Sequence, residues 1–339
     1  MAVCPADQAS RGETKHAFSG RFSRIGLDIG SARIKMVQLT RDYNRICLHQ
    51  YGVYPTPENC IEGGKIIDPV AVSEVLQEIR HKHLCHKNRV NLCLNSQNVI
   101  LRPVTLPPLD PPDTARAMRW EAEKHLLIPV EQAVSDYTLI DKRVVDQKTV
   151  CEYVLAAVPK AIVNSYSAVL VKAGLYPEAI ETAPFTLLRS LRLTGTNTFQ
   201  AEPGALAIIN IGAQSAELLI FAQGGYRFYR NLNLGVEKFS EETPPKLARQ
   251  IAQSLEYYAY ETKYPEKQCR ALLLCGGGSL IAGLDTFLEQ ELSLRTEQYN
   301  PLASLALPAS KQPVTACRAG EDGSLYVIAL GLALRGWIR

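Results

Sequence analysis

Three stretches of this sequence predict an α/β fold made of two similar halves that face each other across a cleft. The first is residues 24–39, RIGLDIGSARIKMVQL, an apolar run, a turn carrying Asp28, Gly30 and Ser31, and a second apolar run. The second is residues 208–221, IINIGAQSAELLIF, which lies over residues 26–39 without a gap and sets Asn210 on Asp28, Ile211 on Ile29 and Gly212 on Gly30. The third is residues 271–284, ALLLCGGGSLIAGL, where a four-residue apolar strand runs into three glycines and then a helix. A unit that recurs once in each half implies two like domains. Strands, a helix and more strands follow the first hairpin in the order of an α/β layer.

The residue types in the turns suit an anion. Gly30 lets the backbone approach a bulky group with no side chain in the way, and successive turn N–H groups form a small cradle for negative charge. Ser31 adds a hydroxyl donor, and Lys35 faces back toward the turn as the counter-charge. Asp28 cannot meet a phosphate directly, since both are anions, so its useful role is to hold Mg²⁺ or that ion's water shell. An ordinary edge hairpin with a polar turn explains one such segment equally well; the echo at Asn210 and Gly212 favours a two-sided clamp. Three consecutive glycines carry an entropic cost and mark a close approach to backbone or a tight strand-to-helix turn. Their spacing is neither GxxxxGK[ST] nor GxGxxG with its following acidic residue.

Taken in order, residues 1–23 are polar and mixed and read as a flexible leader. After the hairpin, residues 46–54 read as a strand and PTPENCIEGGKIIDP as a turn-rich passage. Residues 70–84 read as an amphipathic helix that buries Val72, Val75, Leu76 and Ile79. Residues 89–95 and 99–106 read as strands, closing a first subdomain over 24–106. LPPLDPPD punctuates the chain at 106–113; Asp110 or Asp113 caps a helix over 114–127, and Pro111 and Pro112 suit its entry. With strands DYTLI and CEYVLAAVP and a helix over 160–173, residues 107–174 form an inserted subdomain. A strand at 176–180 and a helix at 181–193 connect to the second domain, 194–339.

Composition narrows the function classes. At 339 residues the chain is long enough for roughly two domains. A formal charge of +3 with interspersed signs gives no footprint for nucleic acid. The apolar stretch 325–334 is too short to span a bilayer, and the N-terminus lacks the apolar core of a signal peptide. Nine cysteines without a CxxC pair suit reduced thiols in a cytosolic protein. His81, His83, Cys85 and His86 cluster in one short stretch and read as a solvated helix end, because tetrahedral zinc sites draw ligands from two separated segments.

Two phosphate-type hairpins and a late GGG turn, in this order, resemble the actin-like ATPase superfamily of actin, Hsp70, sugar kinases and FtsA. More narrowly, the chain is similar to the PilM family of actin-like type IV pilus assembly proteins. GLDIGSARIKMVQL resembles that family's opening, RWEAEKHLLIP with DYTLI its inserted subdomain, and VIALGLALRGW its C-terminal helix, with RWEAE the most diagnostic. The resemblance implies two RNase H-like domains with an FtsA-like 1C insertion, a reduced 2B subdomain, and a C-terminal helix that packs back on the first subdomain. It implies ATP with Mg²⁺ in the cleft: Gly30, Ser31 and Lys35 on the phosphates from one side, Asp28 ordering the metal through water, and Gly212, Ala213 and Gln214 on the other side with Asn210. Gly276, Gly277, Gly278 and Ser279 would border the adenosine, Arg249 and Gln250 on the helix 245–258 would form a second wall, and Glu181 would position a water. It also implies a peptide partner, the cytoplasmic N-terminal tail of a PilN-like membrane protein, bound between the first subdomain and the insertion. That places the chain at the inner membrane among other platform components without entering the bilayer. Self-association, as in filaments or rings, is left open.

The sequence departs from the superfamily at two places. Asn210 stands where the second hairpin usually has Asp, and the lost charge is worth roughly 6 kcal/mol of attraction to Mg²⁺ at an effective dielectric of 20, before desolvation. Binding of ATP with slow or absent hydrolysis is the expectation. Between Gly235 and Leu247 the chain offers only VEKFSEETPPK, which shortens one wall of the cleft. Three readings stay open: an ATP-binding protein of pilus assembly or of the related type II secretion machinery, a nucleotide-free scaffold that uses only the peptide groove, and a small-molecule kinase, for which no catalytic Asp stands out between the hairpins.

Overall fold

The computed structural model describes residues 22–42, 45–84, 88–94, 99–145, 147–193, 204–222, 225–237, 239–262, 268–305 and 323–338. Two five-stranded sheets carry them. The first holds β1 (Phe22–Ile29), β2 (Arg33–Asp42), β3 (Arg45–Pro55), β6 (Arg89–Leu94) and β10 (Tyr176–Thr182) in the order β3-β2-β1-β6-β10. The second holds β11 (Ala205–Ile211), β12 (Ala216–Ala222), β13 (Gly225–Leu232), β14 (Cys269–Cys275) and β15 (Arg295–Gln298) in the order β13-β12-β11-β14-β15. In each sheet the first three strands meander antiparallel, and the fourth and fifth run parallel to the first. The same permutation with the same senses is the structural counterpart of the repeat between residues 26–39 and 208–221.

Between the sheets' strands lie a small hairpin, β4 (Ile61–Glu62) with β5 (Lys65–Ile66), and the helices α1 (Pro69–His83), α2 (Pro111–His125), α3 (Lys160–Lys172), α4 (Ala183–Leu193), α5 (Thr243–Thr262), α6 (Leu284–Leu292) and α7 (Val327–Ala333). Asp68 caps α1, its Oδ1 accepting from the Val70 and Ala71 amides at 2.9 and 3.1 Å ahead of Pro69. The buried face of α1 is Val72, Ser73, Leu76 and Ile79. Val75, expected on this face, is half-buried and packs against the same core, and Ser73 joins it with its hydroxyl satisfied by the Pro69 and Val70 carbonyls. The insertion forms a third sheet, β7 (Ile100–Leu106), β9 (Lys148–Pro159) and β8 (Ala133–Val145) in that order, and α2 lays Met118 and Ala122 onto Val104, Tyr153 and Leu155; the insertion thus begins at β7 and not at residue 107, while α3 packs Ile162, Tyr166 and Leu170 into the core of the first half.

The floor between the two sheets is α7. VIALGLA is apolar on every side, the pattern of a helix with no solvent face, and all seven residues are buried. Gly26 of β1 and Gly331 of α7 allow the contact. A Cβ on Gly26 would lie 1.9 Å from the Ala329 carbonyl oxygen, and one on Gly331 2.0 Å from the Thr186 carbonyl oxygen. The C-terminal helix is thus pressed between β1 and α4. Asn91 on β6 donates to the Leu332 carbonyl at 3.1 Å, which also accepts from the Arg335 amide at 3.1 Å just past the helix end.

Four readings of local structure change. β10 runs two residues further than expected, because Glu181 and Thr182 pair with Cys93 and Leu94, so α4 begins at Ala183. The strand before the glycines is seven residues long, and the glycines open a short 3₁₀ turn, Gly277–Leu280, before α6 starts at Leu284. β13 and β15 were not expected, since GYRFYRNL and RTEQ carry too many polar residues for an apolar run; both lie at sheet edges, where one side faces solvent. The expected helix end at residues 81–86 is only partly solvated: the Tyr54 hydroxyl bonds His83 Nε2 and the rings meet edge to face, while Cys85 and His86 lie outside the described residues.

Candidate functional site: the facing hairpins

Each hairpin closes its own turn. The Gly30 amide donates to the Arg33 carbonyl at 3.1 Å, and the Gly212 amide donates to the Ser215 carbonyl at 2.9 Å. The first turn is further pinned by Thr56, whose hydroxyl donates to the Gly30 carbonyl at 2.7 Å and whose amide donates to the Ala32 carbonyl at 3.0 Å. Ser31, Ala32 and Arg33 remain at the surface on this turn.

Below the turns sit two cross-strand pairs in corresponding positions. Asp28 faces Lys35 in the first hairpin and Asn210 faces Glu217 in the second. Lys35 Nζ lies 3.0 Å from Asp28 Oδ2, and the carboxylate is 3 % exposed. The same ammonium would lie 3.3 Å from a Cβ on Gly30, so it sits directly under the first turn. Asn210 donates to Glu217 Oε2 at 3.0 Å, and Tyr229 of β13 donates to Oε1 at 3.0 Å. Glu217 is 3 % exposed; burial pushes its carboxyl up to about 7, against the pull of those two hydrogen bonds, with Asp28 adding to the rise and Lys35 opposing it. Glu217 thus lies within electrostatic range of both Asp28 and Lys35 of the first hairpin.

The donor set suits a phosphate better than a bare metal ion. One ammonium and two glycine turns are present, Asp28 is neutralised by Lys35, and Glu217 is capped by two donors. No group of three or more His, Cys, Asp or Glu able to hold a metal occurs among the described residues. Asp28 is therefore held by a cation already, and Asn210 brings an amide where a second carboxylate would serve Mg²⁺.

Several expected site residues are placed otherwise. Glu181 is held by two arginines: Arg189 grips both of its oxygens at 2.8 and 3.1 Å, and Arg335, just beyond α7, donates through Nε at 2.6 Å. At 2 % exposure it ties α4 and Arg335 to β10. Ser279 is turned into the protein, its hydroxyl donating to the Gly276 carbonyl at 2.8 Å and lying 3.2 Å from Ser324 Oγ. Gly276 has φ +82°, and its Cβ would strike Asn210 Oδ1 at 2.4 Å; a Cβ on Gly278 would strike Ile211 Cγ2 at 2.2 Å. Packing against β11 explains these two glycines, whereas a Cβ on Gly277 would meet nothing nearer than 3.8 Å. Arg249 is exposed on α5, and Gln250 is half-buried and bonds Ser254 through its carbonyl. Gln214 reaches across to the first half, its Oε1 accepting from the Gly63 amide at 3.0 Å and its Nε2 donating to the Ile61 carbonyl at 3.3 Å. The shortened wall folds down onto the second turn, the Val236 and Glu237 amides donating to the Gly212 and Ala213 carbonyls at 3.1 and 2.8 Å.

Sequence reasoning missed Glu217 and Tyr229. Glu217 was legible in the repeat itself, since it falls on Lys35. Tyr229 was hidden because β13 was not expected.

The seam between the first sheet and the insertion is lined by Leu94, Val99, Val134, Ala157, Ile180 and Thr182, among others, and encloses a cavity of ≈ 20 Å³, room for about one water. On the outer side of the insertion, Trp120 is 61 % exposed with the Lys124 ammonium 3.4 Å from its ring centre, and Leu127 is fully exposed. No helix among the described residues is long and apolar enough to cross a membrane.

Comparison with known proteins adds the family. A solved structure described as a PilM–PilN type IV pilus biogenesis complex is 25% identical, with a TM-score of 0.81 over 94% of this chain and 100% of that one. The ethanolamine utilization protein EutJ from Carboxydothermus hydrogenoformans matches at 12% identity and a TM-score of 0.51, over 94% of this chain and 91% of that one. The cytoplasmic domain of EpsL, an inner-membrane component of the Vibrio cholerae type II secretion system, matches at 12% identity and a TM-score of 0.47, over 94% and 100%. The fold is the actin-like ATPase fold. The family model described as type IV pilus assembly protein PilM matches residues 26–244 and 243–337. The chain belongs to the PilM family of type IV pilus assembly proteins.

Proposed function

We propose that this chain works at the cytoplasmic face of the inner membrane in type IV pilus assembly, by binding the N-terminal tail of a PilN-like membrane protein. The observation that carries the reading is the full-length likeness, at 25% identity, to a structure described as a PilM–PilN complex. The insertion, β7 to β9 with α2, supplies one side of the surface for the tail, where it meets the first sheet at Leu94, Val99, Val134 and Ile180. On this reading the membrane is reached through the partner, and other components of the platform join through it.

We further take the cleft between the sheets to be a site for ATP with Mg²⁺. The Gly30 and Gly212 turns, Ser31, Lys35 and Ala213 would hold the phosphates, Asp28 the metal's water shell, and Gly277 would lie beside the adenosine. A bound nucleotide supplies triphosphate charge that both turns can share, and so favours one angle between the halves. Asn210 in place of a carboxylate and the engagement of Glu181 by two arginines favour binding without turnover. A second reading, a scaffold that needs no nucleotide, is favoured by Gln214, whose amide is already taken by the first half.

Calorimetric titration of the protein with a short tail peptide, with and without Mg-ATP, tests these readings together. Peptide heat that changes with Mg-ATP is the expected result. Peptide heat alone, with no response to nucleotide, selects the scaffold, and absence of peptide heat in both conditions overturns the partner reading.

A further inference from the structure

Gln214 makes a contact that nothing about a phosphate clamp requires. Its side-chain amide offers one acceptor and one donor, and the backbone at Gly63 and Ile61 supplies the complementary pair at 3.0 and 3.3 Å. The amide thus acts as a peptide group would in a strand, joining residues 151 and 153 positions apart in sequence. Both ends of this contact are braced on their own halves. On the second half, the turn carrying Gln214 is closed by Gly212 and Ser215, and residues 236 and 237 bond to the carbonyls at 212 and 213. A Cβ on Gly235 would lie 1.9 Å from the Ala213 carbonyl oxygen, so that loop lies flush on the turn. On the first half, the Cys60 carbonyl takes the Ile67 and Asp68 amides, and the Tyr166 hydroxyl of α3 donates to the Gly64 carbonyl at 3.2 Å. A pull on Gln214 is therefore a pull on the whole of either half.

The position in the fold gives this contact leverage. The floor of the cleft is α7, packed against β1 at Gly26 and against α4 at Gly331, in both cases backbone to backbone. Motion between the halves must pivot there, and Gln214 bridges the halves at the turn, away from that floor. We propose that Gln214 is a latch that holds the two halves closed without any ligand, and that an anion on the Gly212–Gln214 turn competes for the same amide. The first part rests on the geometry alone and not on the nucleotide reading.

The test is hydrogen–deuterium exchange on the full-length, ligand-free protein, comparing wild type with Gln214→Ala and Gln214→Asn. Loss of two neutral hydrogen bonds should raise exchange of the segment 60–66 by about tenfold, with β11 unchanged. Gln214→Asn keeps the amide but is one methylene short, and it should behave as Gln214→Ala. Scattering from the same samples should report a larger radius of gyration for both variants. Wild-type exchange at 60–66 in Gln214→Ala, or wild-type behaviour of Gln214→Asn, would overturn the latch. The anion part is read separately: inorganic phosphate or Mg-ATP should raise exchange at 60–66 in the wild type, and an unchanged segment at ligand saturation overturns the competition.

Discussion

Glu217→Gln probes the base of the cleft through its effect on stability. The carboxyl of Glu217 lies beneath the second hairpin, 3 % exposed, with Asn210 and Tyr229 as donors and with Asp28, Lys35, Cys93 and Cys275 as its charged or titratable surroundings. Burial raises it from its ordinary 4.5 to about 7. The folded state therefore keeps a proton on Glu217 over a range where the unfolded chain has released it, so the folded state binds more protons and stability falls as pH rises from about 4.5 through about 7. The displacement corresponds to about 3 kcal/mol, nearly all of it lost by pH 8. Cys93 and Cys275 are pushed up by the same burial and stay neutral thiols over this range, so they do not share the slope. The substituted amide would keep the shape, accept from Tyr229, and receive or donate at Asn210 if that amide turns over. Urea denaturation at pH 5, 6, 7 and 8 should show the variant gaining about 2 to 3 kcal/mol relative to wild type between the lowest and highest pH, since part of the displacement is already lost below pH 5. Two curves that stay parallel over that interval refute the reasoning, since they would mean that Glu217 is ionised throughout and its neighbours already compensate it.

Lys35→Met leaves the buried Asp28 carboxylate without its ammonium and should destabilise the fold by about 3 kcal/mol in the same assay. Adding Asp28→Asn should recover most of that loss, because a neutral pair removes the uncompensated charge. Two of the three glycines should separate cleanly by thermal denaturation: Gly276→Ala, with its positive φ and a clash against Asn210, should cost about 2 kcal/mol, while Gly277→Ala should cost less than about 1 kcal/mol. Among the described residues a Cβ at 277 meets nothing nearer than 3.8 Å, so a loss of Mg-ATP heat in Gly277→Ala would place the ligand there, and an unchanged titration would remove Gly277 from the site.

The repeated sheet was legible because a hairpin with fixed register leaves a fixed imprint: two apolar runs around a glycine turn, at the same spacing in both halves. The helices were legible from periodicity and punctuation, as with Asp68 and Pro69 before α1. What stayed hidden has identifiable physical causes. Polar strands such as β13 form because a neighbour offers them a ladder, and no local pattern announces it. Glu181 could be placed in the chain but not in its company, since Arg189 and Arg335 are brought to it by α4 and by the stretch after α7. Gln214 entered as a phosphate contact only through the resemblance; its bonds to Ile61 and Gly63 involve a two-residue strand too short to see in any sequence window.

The paired positions 28/35 and 210/217 show how far the two halves have diverged under one backbone. In the first hairpin the cross-strand pair is a carboxylate and an ammonium, which neutralise each other in place. In the second, the carboxyl has moved to the partner strand and faces an amide, so no cation answers it within its own hairpin. A buried carboxylate without a cation must be protonated, be satisfied by neutral donors, or draw a positive charge from elsewhere. Tyr229 and Asn210 take the second route, the rise to about 7 takes part of the first, and Lys35 across the cleft supplies part of the third. Separation of the halves would remove that last contribution and admit water in its place. The proton on Glu217 and the angle between the halves are therefore coupled, and opening the Gln214 latch should shift the pH at which Glu217→Gln and wild type part company.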